Sequence, residues 1–438
     1  MGPVVSYFIS VFGMCAFIAI AVALSKDRRN IDFALVRNGF LIQITLGVLV
    51  LGIPSLGIPG VFQFAFAAAN DFFMAIISFT DEGTGFLVGS YIDKSKEGFV
   101  FVIHALPPII FFSSLMSVLY YLGIMQYLVR AMAWVMFKFM GTSGAESLSM
   151  AANVFVGQTE APLVVKPYVN SMTKSELMAL MTGGMATIAG GVLAGFVGML
   201  NDKIPNIAGH LLTASVMSAP AAFIFAKIML PEKGNPETLG TLPKRASNDT
   251  SINVIEAAAR GASDGLKMAL NVAAMLLAFI ALIAAINGLL GWIGELINFP
   301  EWGRTLIPEL LQKESSSINL SLQLIFGWIF APLAFLMGIP WQEAPLAGAL
   351  LGQKITLNEF VAYIELAQIS EHLSARTNVI LSYALCGFAN FSSIAIQIGG
   401  IGEIAPERKS ELAAFGLKAM IGGSLAAFMT ACIASLLI

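Results

Sequence analysis

Six long stretches of this chain contain no Asp, Glu, Lys or Arg: Val4–Ser25, Asn38–Pro59, Leu177–Asn201, Met268–Gly294, Thr377–Gly402 and Ala419–Ile438. Each is long enough to cross the roughly 30 Å hydrocarbon layer of a bilayer as a helix. No water is available there to satisfy backbone N–H and C=O groups, so such a run has to close its hydrogen bonds on itself. The remaining composition agrees. Of 438 residues, 57% are apolar and 12% charged, with a mean hydropathy of +0.81, where a soluble domain carries roughly 25% charged residues. These features define an all-α polytopic membrane protein.

Charge and cysteine usage exclude other classes. With 24 basic and 27 acidic residues the net charge is −3, and no basic stripe marks a nucleic-acid partner. Cys15, Cys386 and Cys432 lie far apart in apolar runs, without metal-ligand spacing or a disulfide framework, and read as small packing residues. His104, His210 and His372 are isolated and read as hydrogen-bonded core or interfacial groups.

The first apolar run is too long for a signal-peptide core, and Lys26, Arg28 and Arg29 follow it. It reads as a permanent span with its N-terminus outside. The loops then assigned to the cytoplasm hold Lys174, Lys233, Lys244, Arg245, Arg260, Arg408 and Lys409. Those assigned outside hold fewer basic residues: Lys94, Lys96, Lys203, Arg304 and Lys313. This bias is the positive-inside pattern. It predicts eight transmembrane helices, near residues 4–25, 36–57, 100–123, 177–200, 207–229, 268–294, 377–400 and 415–437, with both termini outside. Val61–Phe79 and Met125–Met140 read as interfacial helices, and so does Ile318–Met337, demoted from a ninth span because of an internal repeat.

The repeat flanks the polar linker at residues 231–253. Gln126, Met140 and Gly141 match Gln323, Met337 and Gly338; Glu160 matches Glu359; Gly184–Gly190 lies opposite Gly387–Ser393. Each unit runs in one order: amphipathic helix, broken apolar segment centred on a Glu, Gly-rich span, closing span. Three spans separate the starts of the two units, so the units are inverted. The inverted repeat divides the chain into 1–124 (mainly scaffold), 125–230 (first unit), 231–253 (cytoplasmic linker), 254–321 (interfacial helix and sixth span, scaffold) and 322–438 (second unit). Inverted repeats with broken helices are the architecture of secondary transporters, with substrate at mid-membrane.

Ser147–Thr159 is uncharged but too short to cross. With Gly157-Gln158-Thr159-Glu160-Ala161-Pro162 after it, it reads as a re-entrant hairpin turning at residues 155–159. Ala344–Gln353, Ile355-Thr356-Leu357-Asn358 and Glu359–Leu366 make a second one. The two re-entrant hairpins put Glu160 and Glu359 at tips within the membrane, where an ionisable residue is a functional candidate. Lys166 and Glu343 read as interfacial. The spans against the tips look unwound, at Thr182–Gly191 with four glycines around Thr187, and at Gly387–Ser393 with Asn390, Ser392 and Ser393. Gln158, Thr159, Glu160, Glu359, Asn390 and Ser393 thus form a polar set without a basic group. It favours a neutral, polyhydroxylated or heterocyclic substrate over a phosphate or carboxylate, with Phe388 as an apolar face.

The segments Gly157-Gln158-Thr159-Glu160-Ala161-Pro162-Leu163, Asn358-Glu359-Phe360-Val361-Ala362-Tyr363 and Ala384-Leu385-Cys386-Gly387-Phe388-Ala389-Asn390 resemble the concentrative nucleoside transporters, in the short bacterial form, over nearly the whole chain. That resemblance implies a homotrimer in the bacterial cytoplasmic (inner) membrane. It also implies a scaffold domain and a transport domain that moves as an elevator, importing a uridine-like nucleoside. By motif, Gln158, Thr159 and Glu160 would face the base. Glu359, Asn390 and Ser393 would hold the ribose, and Val192 and Phe388 would line the apolar side. The co-transported sodium ion would sit at Asn153, Val156, Thr187 and Ile188, largely on backbone carbonyls. Thr187 stands where the sodium-coupled bacterial form has Ser, and keeps the hydroxyl. The alternative coupling ion is a proton carried by Glu160 or Glu359. An intramembrane enzyme using the two Glu lacks any supporting His-Glu-x-x-His motif or Ser/His pairing. A channel would not need inverted hairpins.

Overall fold

The computed structural model describes residues 3–53, 57–93, 100–243, 251–303 and 319–438. Lys94, Lys96, Lys244, Arg245, Arg304 and Lys313, used above for orientation, lie outside the described residues, as does part of the 231–253 linker. Among the described residues the ordered elements are helical, apart from one isolated bridge between Ile53 and Ile58.

The long helices are α1 (Pro3–Ala23), α2 (Phe33–Leu51), α3 (Gln63–Val88) and α4 (Leu106–Tyr121), the last preceded by a turn at Phe101–His104. α2 starts where Asp32 accepts hydrogen bonds from the Ala34 and Leu35 amides, the role for which Asp is favoured at an N-cap. α3 carries Asp81 and Glu82 inside it. The helix expected at 61–79 therefore runs on to Val88, its acidic pair exposed on its surface.

The first repeat unit opens with α5 (Ile124–Met140), whose buried residues Met125, Val129, Ala133, Met136 and Met140 fall on one stripe. α6 (Gly144–Asn153) enters, and single turns at Ala161–Val164 and Lys166–Val169 return. The span expected at 177–200 is α7 (Lys174–Ala186) and α8 (Gly190–Leu200), broken at residues 187–189, and α9 (Ile207–Met229) closes the unit. After the linker, α10 (Val254–Leu296) is one continuous helix of 43 residues, about 64 Å long. The interfacial helix and sixth span expected there are fused. α10 packs along α4, where Ser114 Oγ donates to Ala258 O at 2.8 Å.

The second unit repeats the order. α11 (Leu322–Leu336) has 15 residues, about 22 Å and too short to cross unaided. α12 (Ala344–Thr356) enters and α13 (Glu359–Ile369) returns; α14 (Ala375–Ala384) and α15 (Phe391–Ile404) are the halves of the span expected at 377–400; α16 (Lys409–Leu437) closes. Among the described residues, seven helical stretches are long and apolar enough to cross a membrane. The seventh expected span, 377–400, is absent from that set because residues 385–390 break it. Gly141 and Gly338, matched in the repeat, both end their amphipathic helices with positive φ, 69° and 87°, the conformation that favours glycine. A Cβ at Gly338 would also lie 2.5 Å from Ser435 Oγ.

α7, α8, α9 and α16 form the buried centre. Cys386 and Cys432 are packed there, but Cys15 is exposed on α1, whose outer face meets no neighbour among the described residues. His104 and His210 are hydrogen-bonded, His104 to Val100 and Ile92 O, His210 to the Tyr383 hydroxyl at 3.2 Å.

Candidate functional site

The first hairpin begins at a capping box. Ser143 Oγ accepts from the Glu146 amide, while the Glu146 carboxylate accepts from the Ser143 amide, so α6 starts satisfied inside the protein. The helix is buried throughout and stops at Asn153. Residues 154–160 turn, with the Glu160 and Ala161 amides donating to Gly157 O, and Pro162 starts the return. The tip is tied to the broken span. The Gly190 amide donates to Phe155 O at 3.0 Å, and Thr187 Oγ1 reaches Asn153 O at 3.1 Å and Gly183 O at 3.0 Å.

The second hairpin turns more tightly. Asn358 caps α13, accepting from the Val361 amide at 3.0 Å, which places Glu359 at the first helical position. The positive end of a helix dipole favours a carboxylate there. Glu359 is buried, whereas Glu160 is exposed to the cavity. Asn390 caps α15. Its Oδ1 accepts from the Ser393 amide and Ser392 Oγ, and its Nδ2 donates to Glu359 Oε2 at 2.9 Å. Gln158 links the two units by donating to Ser393 Oγ at 3.1 Å.

A cavity of about 1160 Å³ brings together Gln158, Thr159, Glu160, Val192, Glu359, Phe388, Asn390 and Ser393, all eight residues singled out for the substrate. Its opposite wall comes from α4, α5 and α10, including Tyr120, Gln126, Arg130, Arg260 and Asp264. Of the residues assigned to sodium, Val156 reaches this cavity, while Asn153, Thr187 and Ile188 are buried behind the first tip. Among the described residues, neither polar atom of the Asn153 carboxamide meets a hydrogen-bond partner. Carbonyl, carboxamide and hydroxyl oxygens in one buried spot suit a hard monovalent cation.

Besides the polar residues of that opposite wall, two buried polar side chains beside the site have no role in the sequence reading. Gln397 Nε2 donates to Gln158 Oε1 and to Met181 O, both at 3.0 Å. It lies one helical turn beyond Ser393, on the same face, and is fully buried, but an amide in an apolar span does not name its partner. Lys354 is fully buried in α12. Nothing in its spacing separates it from an interfacial lysine.

Broken helices and buried polar turns that meet at one polar cavity, in a chain of long apolar helices, are the construction of a secondary transporter. The chain belongs to the Na⁺-dependent, or concentrative, nucleoside transporter family. The family's C-terminal model matches residues 210–435, a nucleoside-recognition model residues 102–203, and the N-terminal model residues 12–91. An uncharacterized transporter of Haemophilus influenzae is 45% identical, covering 98% of this chain and 97% of that protein. Rat sodium/nucleoside cotransporter 1 is 38% identical over 98% of this chain, which spans 63% of the rat protein's length. The structure of CNTnw in an inward-facing substrate-bound state matches with a TM-score of 0.86 at 43% identity, covering 99% of this chain and 98% of that one. A CNTnw variant in an outward-facing state matches with a TM-score of 0.86 at 42% identity, covering 98% and 97%. The protein is a multi-pass membrane transporter rather than an enzyme.

Proposed function

We propose that this protein is a sodium-coupled nucleoside symporter of the bacterial cytoplasmic membrane, working by an elevator movement within a homotrimer. The transport domain comprises residues 125–230 and 322–438, and the scaffold 1–124 and 254–321, with 231–253 a cytoplasmic linker and both termini outside. The observation that carries this reading is the shared construction of the two tips. Asn390 fixes Glu359 at the second, while Thr187 Oγ1, Asn153 O and Gly183 O gather beside the Asn153 carboxamide at the first. Glu359 accepts the ribose hydroxyls, with Asn390 and Ser393 beside it. Gln158, Thr159 and Glu160 read the base, and Val192 and Phe388 take its apolar face. Sodium is held by Asn153, Val156, Thr187 and Ile188, ordering the tip that carries Gln158, so ion and nucleoside tighten each other reciprocally.

The test is uridine uptake into proteoliposomes at fixed pH, with and without an inward sodium gradient. Uptake that follows sodium and survives a protonophore supports the reading. Uridine affinity equal in sodium and choline, and rising only as pH falls, would replace it with proton coupling.

A further inference from the structure

Lys354 is 0% exposed, an ammonium held at membrane depth, where an unpaired charge is costly. It sits in the last turn of α12. Its Nζ donates to Ala384 O at 3.2 Å, and the Phe428 ring lies 5.8 Å away. Ala384 is the last residue of α14, so the break at residues 385–390 takes away the amide that would have closed on this carbonyl. The ammonium, carried by the last turn of one helix, therefore meets the C-terminal carbonyl of another, the negative end of its dipole. Glu359 lies within its electrostatic reach.

The first unit has the same construction with no side-chain cation in it. There the C-terminal ends of α6 and α7 converge, presenting Asn153 O and Gly183 O around Thr187 Oγ1. Under the repeat, α6 and α7 correspond to α12 and α14. We infer that Lys354 is a tethered cation, doing in the second hairpin what a dissolved sodium does in the first. It pins the hairpin tip to the carbonyls freed by the neighbouring broken span and holds Glu359 beside Asn390. Lys354 is thus a positioning residue, and the second hairpin stays closed without an ion. Of the two tips, only the first then answers to sodium. The inference rests on the cation site proposed for the first hairpin.

Cys386 tests it without a substrate, since its thiol is buried inside the break of the seventh span. The protein carries Cys15→Ser and Cys432→Ala, and maleimide labelling of Cys386 is timed in sodium and in choline. With Lys354 present, labelling should be slow and the same in both salts; protection by sodium would overturn the inference. In Lys354→Met labelling should accelerate on the order of tenfold in both salts, as local opening admits the reagent, while Lys354→Arg stays slow. Unchanged labelling in Lys354→Met, with unchanged uridine affinity, would make Lys354 a packing residue and overturn it too. Failure of the sodium site itself would appear separately, as equal uridine affinity in sodium and choline with Lys354 intact.

Discussion

Asn390 Nδ2 donates to Glu359 Oε2 at 2.9 Å, joining the cap of one half-helix to the first residue of another. One side chain thereby ends the break in the seventh span and aims the carboxylate at the cavity. Glu359→Gln keeps the shape but loses the charged acceptor. Each lost hydrogen bond to a charged group costs about 1.5–3 kcal/mol, so uridine affinity should fall about 10- to 150-fold. The 2′,3′-dideoxy analogue should lose far less. Equal losses measured by calorimetry would remove Glu359 from the ribose.

Gln397→Leu should act on the opposite side of the substrate. It takes away the donor to Gln158 Oε1 and leaves a buried acceptor unsatisfied, worth about 1–3 kcal/mol. Uridine and its dideoxy analogue should weaken equally, with sodium affinity in the absence of nucleoside unchanged. A loss confined to the hydroxylated ligand would contradict this.

Thr187→Val removes the hydroxyl between Asn153 O and Gly183 O at nearly constant volume. One lost ligand at about 1–3 kcal/mol should raise the sodium concentration for half-maximal uptake on the order of tenfold. Uptake kinetics across a sodium titration would show this, and an unaltered midpoint would place the ion elsewhere.

A stability prediction concerns the far end of the first unit. Lys227 Nζ lies 2.7 Å from Glu146 Oε2, the side chains 7% and 2% exposed, and it also contacts Ser175 and Glu232. The pair ties α6 to α9. Lys227→Met strands a buried carboxylate and should cost about 3–5 kcal/mol, read as a lower melting temperature in detergent. Adding Glu146→Gln should restore most of it. A single variant as stable as the parent would show that the pair contributes nothing.

Much of this molecule is written locally. Long uncharged runs specify helices because lipid leaves the backbone no other partner. Pro162, Asn358 and the glycines around Thr187 mark the breaks through local conformational preference, and Gly141 and Gly338 end equivalent helices for the same reason. Other features needed the tertiary structure. Hydropathy cannot separate a continuous apolar run from two half-helices; Gly387–Ser393 marked 377–400 as unwound, and the structure showed how the second half restarts, on the Asn390 cap. Residues 254–296 read as separate pieces because their charges cluster at one end, yet α10 is continuous, its helix held along α4. Gln397 and Lys354 were opaque for one shared reason. An isolated polar residue in an apolar helix carries no label for its partner, and only packing brought Gln397 to Gln158 and Lys354 to Ala384 O.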